Sequence, residues 1–165
     1  MEQKNDYAKL FKLIEDVQMC MFTTVDEDGT LRSRPMATQK EYKDNELYFF
    51  TKKNSGKIDE IENDQDVNLA YSHPGKQHYV SVSGRAEMIE DRAKIEKLWN
   101  PMYKAWFPEG LDDPELGLVQ VHIQKAEYWD SHSSPVVHLI GLAKAALTGK
   151  SYKPGDHGTI DGKVQ

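Results

Sequence analysis

Residues 46–57 read Glu-Leu-Tyr-Phe-Phe-Thr-Lys-Lys-Asn-Ser-Gly-Lys, and this stretch combines a strand, a polar loop and the start of a helix. The apolar and aromatic run at 47–50 is typical of a β-strand. The polar residues after it predict a loop, and Ser55 stands where a helix N-cap is expected. Ile58 and Ile61 then recur at helical spacing, so a short helix should follow the loop.

Five further strands are predicted on the two sides of this stretch. Each is a short run that is rich in β-branched and aromatic residues or alternates between apolar and polar residues. Turn residues separate several of them, as at Asp28-Gly29. The five cover residues 19–25, 30–38, 67–72, 79–87 and 118–129. Six short strands without regular strand–helix alternation favour a closed antiparallel barrel over a parallel sheet.

Helices are predicted beside these strands. We expect one over residues 6–18, one over 91–106 with a break near Pro101, and a last one between the N-cap Ser134 and Gly149. Apolar residues lie nearly all round the last helix, which favours burial against the barrel or a partner chain.

The composition is that of an ordinary globular domain, with 38% hydrophobic and 29% charged residues among 165. We expect a single domain over residues 1–150 and a loosely ordered, polar tail over 151–165. Residues 1–6 lack the apolar core of a signal peptide, and no window is long and apolar enough to span a membrane. Together with a single cysteine, Cys20, these features favour a cytoplasmic protein.

The net charge and the spacing of the histidines argue against a nucleic-acid-binding protein and against a metal site. The formal net charge of −6 argues against a nucleic-acid-binding surface, which usually needs a basic face. The six histidines show no tight ligand spacing, so no metal site is expected. Cys20 lies in an apolar strand and is expected to be a core thiol rather than a reactive one.

The loop and helix start at residues 52–57 form a candidate anion site. The first amides of a helix lack internal partners and carry partial positive charge, so they bind phosphate well. Ser55 adds a hydroxyl donor, Lys57 adds a full charge, and Gly56 allows close approach of the backbone. On these residues alone, a plain capping segment with solvated lysines explains the pattern equally well.

Two arginines in the predicted strand 30–38 form a second candidate. Arg32 and Arg34 occupy alternate positions, so they face one side and suit a phosphate or a flavin ring carbonyl. Pro35 indicates an unpaired backbone N–H or a bulge. Taken alone, two exposed edge-strand arginines are the simpler interpretation.

The order of five motifs along the chain resembles one family. They are Arg-Ser-Arg-Pro-Met at 32–36, Leu-Tyr-Phe-Phe-Thr at 47–51, Asn-Ser-Gly-Lys at 54–57, Val-Ser-Val-Ser-Gly-Arg-Ala-Glu at 80–87 and Glu-Tyr-Trp at 127–129. Together they resemble the pyridoxamine 5′-phosphate oxidase-like superfamily, most closely the bacterial general stress protein branch of FMN-binding split barrels. The resemblance runs from residue 7 to residue 159. It implies a mainly β fold, a six-stranded antiparallel split β-barrel with flanking helices.

The resemblance also implies which residues line a flavin site. They are Arg32, Arg34, Pro35, Met36, Ala37, Phe50, Thr51, Ser55, Gly56, Lys57, Tyr79 and Trp129. Arg34, Ser55 and Lys57 would hold the phosphate end, while Phe50 and Thr51 would contact the isoalloxazine ring. Trp129 matches a tryptophan that closes the site from the partner subunit.

Two positions depart from the family pattern. Gly56 stands where many relatives carry an arginine, which removes one charge from the phosphate site, and Arg32 or Lys52 could replace that charge. Tyr79 stands where the vitamin B6 oxidases usually have a glutamine that contacts the flavin.

The function implied is a homodimeric flavin-dependent oxidoreductase of the general stress response, with FMN or FAD as cofactor and a nicotinamide as a possible electron donor. A non-catalytic flavin store or redox sensor is the alternative, and binding of haem or a deazaflavin is a further one. A strict pyridoxamine 5′-phosphate oxidase is disfavoured, because those enzymes carry an Arg-x-His-like segment after the matching tryptophan. Residues 130–138 contain no arginine. No nucleic-acid or membrane partner is expected.

Overall fold

The computed structural model describes residues 2–42, 45–131, 135–149, 151 and 155–162. In this part of the chain seven strands form one antiparallel sheet with four α-helices beside it. The helices are α1 (Glu2–Val17), α2 (Gly56–Asn63), α3 (Arg92–Leu98) and α4 (Pro135–Thr148). The strands are β1 (Met19–Val25), β2 (Leu31–Ala37), β3 (Glu46–Lys52), β4 (Asp66–His73), β5 (His78–Ile89), β6 (Leu116–Asp130) and β7 (Asp156–Asp161). The predicted mainly β, antiparallel class is confirmed.

The sheet follows the order β2-β1-β4-β5-β6-β3, and β7 also pairs with β6. β6 is 15 residues long, so its first half pairs with β3 and its second half with β7, while β5 runs along its other edge. The two ends of the sheet meet where the Gln39 amide, just beyond β2, donates to the Tyr48 carbonyl of β3 at 2.8 Å. This contact curls the sheet into a half-barrel.

Alternation along the strands gives the sheet a buried concave face and an exposed convex face. Phe22 of β1 and Phe49 of β3 are fully buried in the concave face and pack edge to face, with ring centroids 5.2 Å apart. Leu10 and Ile14 of α1 cover this core and are also fully buried. A second apolar cluster packs behind β3 and includes Phe107, with Trp99 and Tyr103 packed against it, whereas Trp106 is 63% exposed.

One difference from the sequence prediction concerns the C-terminal part of the chain. Asp156–Asp161 forms a seventh strand, so the prediction of a loosely ordered tail is wrong there. The strand is held because Ile160 is 2% exposed and fills the core, whereas its neighbours are polar and give no strong periodic signal.

The predicted N-cap Ser134 lies outside the described residues. The predicted break at Pro101 is confirmed, because α3 ends at Leu98 and a 3-10 turn begins at Pro101.

None of the helices in the described ranges combines the length and apolar character needed to cross a membrane.

Candidate functional site

Lys57 lies in the first turn of α2, facing the end of β3. Its Nζ donates to Thr51 Oγ1 at 2.5 Å and to Ser55 Oγ at 3.2 Å. Burial of the ammonium group, and after it the neighbouring Arg34 guanidinium, lower the pKa of Lys57. Arg34 of β2 donates to Glu60 of α2, three residues after Lys57, so the strand and the helix bring the two cations to one site.

The start of α2 borders open space. Ser55 is the N-cap residue, yet its hydroxyl makes no capping hydrogen bond to the helix. A Cβ added at Gly56 would meet no atom within 4 Å. The first amides of a helix lack partners within it. These amides and the Lys57 ammonium group therefore border one solvent-accessible position beside Gly56, where an anion could bind.

Arg34 is held by two side chains on the concave face. Its Nη1 donates to Thr24 Oγ1 at 2.7 Å, and its Nη2 donates to Glu60 Oε2 at 2.7 Å. Arg32 Nη1 lies 3.2 Å from Glu60 Oε1 and also 3.2 Å from Asp26 Oδ2. Both arginines therefore converge on the same carboxylate.

Glu60 belongs to this site, and the sequence analysis did not predict it. It is 4% exposed, and the Thr24 hydroxyl donates to its Oε2 in addition to Arg34. The available signal was its spacing, since Glu60 follows Lys57 by three residues and lies on the same helix face. We call Arg32, Arg34, Ser55, Lys57 and Glu60 the cationic clamp. The three cations of the clamp face two carboxylates, Glu60 and the Asp26 that contacts Arg32, so one positive charge remains in excess for an anion.

Lys52 is not part of this clamp. Its Nζ donates to Glu115 Oε2 at 2.9 Å, and the neighbouring Asn54 amide donates to Glu115 Oε1 at 2.8 Å. Glu115 therefore fastens the loop between β3 and α2. Arg32 and Lys52 were both proposed to replace the charge missing at Gly56. Arg32 lies beside Glu60 in the clamp, whereas Lys52 is paired with Glu115.

Four other predicted site residues lie apart from the clamp side chains. Met36 is 8% exposed and belongs to the core, while Pro35 and Ala37 face the convex side. Phe50 points to the opposite face of β3 from Thr51, and its ring packs 5.3 Å from that of Tyr103. Their predicted contacts with a flavin stay predictions.

Tyr79 and Trp129 form a second group on the convex face. They are directly paired across β5 and β6 and are 41% and 40% exposed. His157 of β7 is the next residue in the same row, and its ring stacks on Trp129 with centroids 5.3 Å apart and an interplanar angle of 22°. Sequence analysis missed His157, because β7 was expected to be loosely ordered.

The clamp and the aromatic row lie on opposite faces of the sheet in one chain. Arg34 is paired with the buried Phe22, whereas Trp129 is paired with the exposed Tyr79. The predicted site residues therefore fall into two groups.

In the described ranges, no group of three or more histidine, cysteine, aspartate or glutamate side chains is arranged to hold a metal ion.

A curled antiparallel sheet with flanking helices is the fold of the split-barrel proteins. The family model described as pyridoxamine 5′-phosphate oxidase like matches residues 5–153, and the chain belongs to this family. Its similarity to solved general stress proteins at 27–31% identity places it in the general stress protein branch of the family.

Three known proteins show the extent of this similarity. Protein bli-3 from Neurospora crassa is 34% identical over 140 residues, which span 79% of this chain and 67% of that protein. The general stress FMN/FAD binding protein from Xanthomonas citri is 30% identical with a TM-score of 0.68, covering 79% of this chain and 92% of that one. The General Stress Protein 26 from Bacillus anthracis str. Sterne is 27% identical with a TM-score of 0.62, covering 72% of this chain and 92% of that one.

Proposed function

We propose that the chain binds FMN as a homodimer and works as a flavin-dependent oxidoreductase linked to the general stress response. The observation that carries the proposal is the convergence of Lys57 and Arg34 beside the open start of α2. A phosphate dianion that leaves water needs several charge-assisted donors, and this position offers them. The similarity to the general stress FMN/FAD binding protein from Xanthomonas citri supports a flavin as the ligand.

The residues present fit the phosphate end of FMN. Lys57 and the Ser55 hydroxyl would hold phosphate oxygens, and the open position at Gly56 leaves room for an oxygen close to the backbone. Glu60 would keep Arg34 in a fixed orientation toward the same group. A bound flavin would supply two-electron redox chemistry, while this chain binds and orients it.

The separation of the two groups of residues supports the proposed homodimer. The clamp and the row of Tyr79 and Trp129 lie on opposite faces, so one chain cannot present both to one flavin. A second copy could bring its aromatic row to the first copy's clamp. The convex face also exposes Met19 and Met21, at 49% and 44%, which suits burial in an interface on the order of 2,000 Å².

The lone buried thiol, Cys20, is consistent with the reducing cytoplasm that we propose as its compartment.

The test combines absorbance, mass and reduction of purified protein. We expect a flavin spectrum after titration with FMN, a dimeric mass by light scattering, and reduction of the bound flavin by NADH or NADPH under anaerobic conditions. Flavin binding without reduction would favour the store or sensor. A haem or deazaflavin spectrum, or a monomer at micromolar concentration, would overturn the corresponding part of the proposal.

A further inference from the structure

The C-terminal strand β7 supports one face of Trp129. His157 stacks on the indole at 5.3 Å and 22°, which is close to a parallel arrangement. On its other side in the row, Trp129 is paired with Tyr79 of β5. An indole that is 40% exposed on a sheet surface could otherwise change rotamer, so the stack restricts the orientation of the ring.

β7 is fixed at the level of this stack. Lys9 Nζ lies 2.5 Å from Asp156 Oδ2 and 3.3 Å from Asp130 Oδ2. These two aspartates are paired across β7 and β6 and directly adjoin His157 and Trp129 in sequence. The ion pairs with Lys9 of α1 therefore fix the strand that carries the His157 imidazole.

We propose that His157 is a positioning residue of the flavin site, which holds the Trp129 indole in one orientation for contact with the isoalloxazine ring. This inference rests on the proposed function. The imidazole occupies one face of the indole, so a ligand has to contact the part of this 40% exposed side chain that the imidazole leaves open. The part of the chain that contributes to the site would then extend to β7.

The test measures FMN affinity and quenching of flavin fluorescence in the full-length protein. We expect His157→Ala to weaken FMN binding about two- to tenfold, the range for an aromatic pair, and to reduce the quenching. His157→Phe keeps an aromatic ring and should restore both. Thr159→Ala is the matched control, because Thr159 lies on the same face of β7 but is paired with Glu127 instead of Trp129.

A double-mutant cycle separates positioning of Trp129 from general loss of β7. In a Trp129→Ala background, His157→Ala should have no further effect on FMN affinity. An unchanged affinity in His157→Ala, or an equal loss in His157→Phe or Thr159→Ala, would overturn this inference and leave the proposed function standing. If wild-type protein binds no flavin, the proposed function and this inference fail together.

Discussion

Arg34 Nη2 donates to Glu60 Oε2 at 2.7 Å and thereby joins the edge strand β2 to the helix α2. Glu60 receives two further donors, since Thr24 donates to the same oxygen and Arg32 lies 3.2 Å from Oε1. A buried carboxylate is tolerated in a protein only when its oxygens are paired in this way. The ion pair fixes the arginine in the place where the proposed function requires a phosphate donor.

Replacing Glu60 by Gln should therefore destabilise the fold. The substitution leaves Arg34 without its anionic partner in a partly buried position, and we expect the free energy of unfolding to fall by about 2 kcal/mol. Urea unfolding measures this change. Glu62→Gln, on an exposed position of the same helix, should change the stability by less than about 0.5 kcal/mol. Equal effects of the two substitutions would show that the Glu60 contacts contribute nothing.

Cys20 should be inert in the folded protein. Burial raises the pKa of its thiol to about 12, and the side chain is 3% exposed. Because the thiolate is the reactive form, a disulfide reagent at pH 8 should modify native protein far more slowly than protein unfolded in urea. Modification at the same rate in both states would contradict the burial of Cys20 in the core.

Glu41 should make stability depend on acid pH. Its hydrogen bond from Lys97 lowers the pKa of the carboxyl group, and Lys94 acts in the same direction. A lowered folded-state pKa contributes stability above the unfolded value of about 4.3, and this contribution is lost as the pH falls through the folded value. Unfolding experiments between about pH 6 and 3 should show a smaller loss of stability for Glu41→Gln than for wild type. The same loss in both proteins would be evidence against the ion pairs.

Lys57 should limit flavin binding at alkaline pH. Burial lowers the pKa of its ammonium group, so the charge is lost at a lower pH than the usual value of about 10.4. The affinity for FMN should then fall more steeply than the affinity for riboflavin as the pH rises toward that value, because only FMN carries the phosphate that Lys57 would hold. Fluorescence titrations of both ligands over an alkaline pH series measure this. Parallel curves for the two ligands would remove Lys57 from the phosphate contact.

Much of the sheet could be predicted from local sequence, because alternation and turn residues are local signals. The strand–loop–helix at 46–61 and the break at Pro101 are examples, and both are present in the structure. β7 escaped prediction because a single core residue, Ile160, carries its burial. Its stability comes from pairing with β6, which is remote in sequence.

The candidate site was predictable in its residue types but not in its arrangement. Ser55, Gly56 and Lys57 are contiguous and marked by helix-start chemistry. The Arg34–Glu60 pair joins residues that are 26 positions apart, and nothing local to either indicates the other. The division of the site into two groups depends on the face of the curled sheet that each side chain occupies once the strands pair, which no local pattern specifies.

The most direct test of the proposed flavin site is calorimetric titration of FMN and riboflavin into wild type and Lys57→Ala. Loss of one charge-assisted contact should weaken FMN binding roughly ten- to a hundredfold, as expected for about 1.5–3 kcal/mol. Riboflavin binding should change little, because it lacks the phosphate that Lys57 would hold. Equal losses for both ligands, or no loss for either, would contradict the assignment of the cationic clamp as a phosphate site.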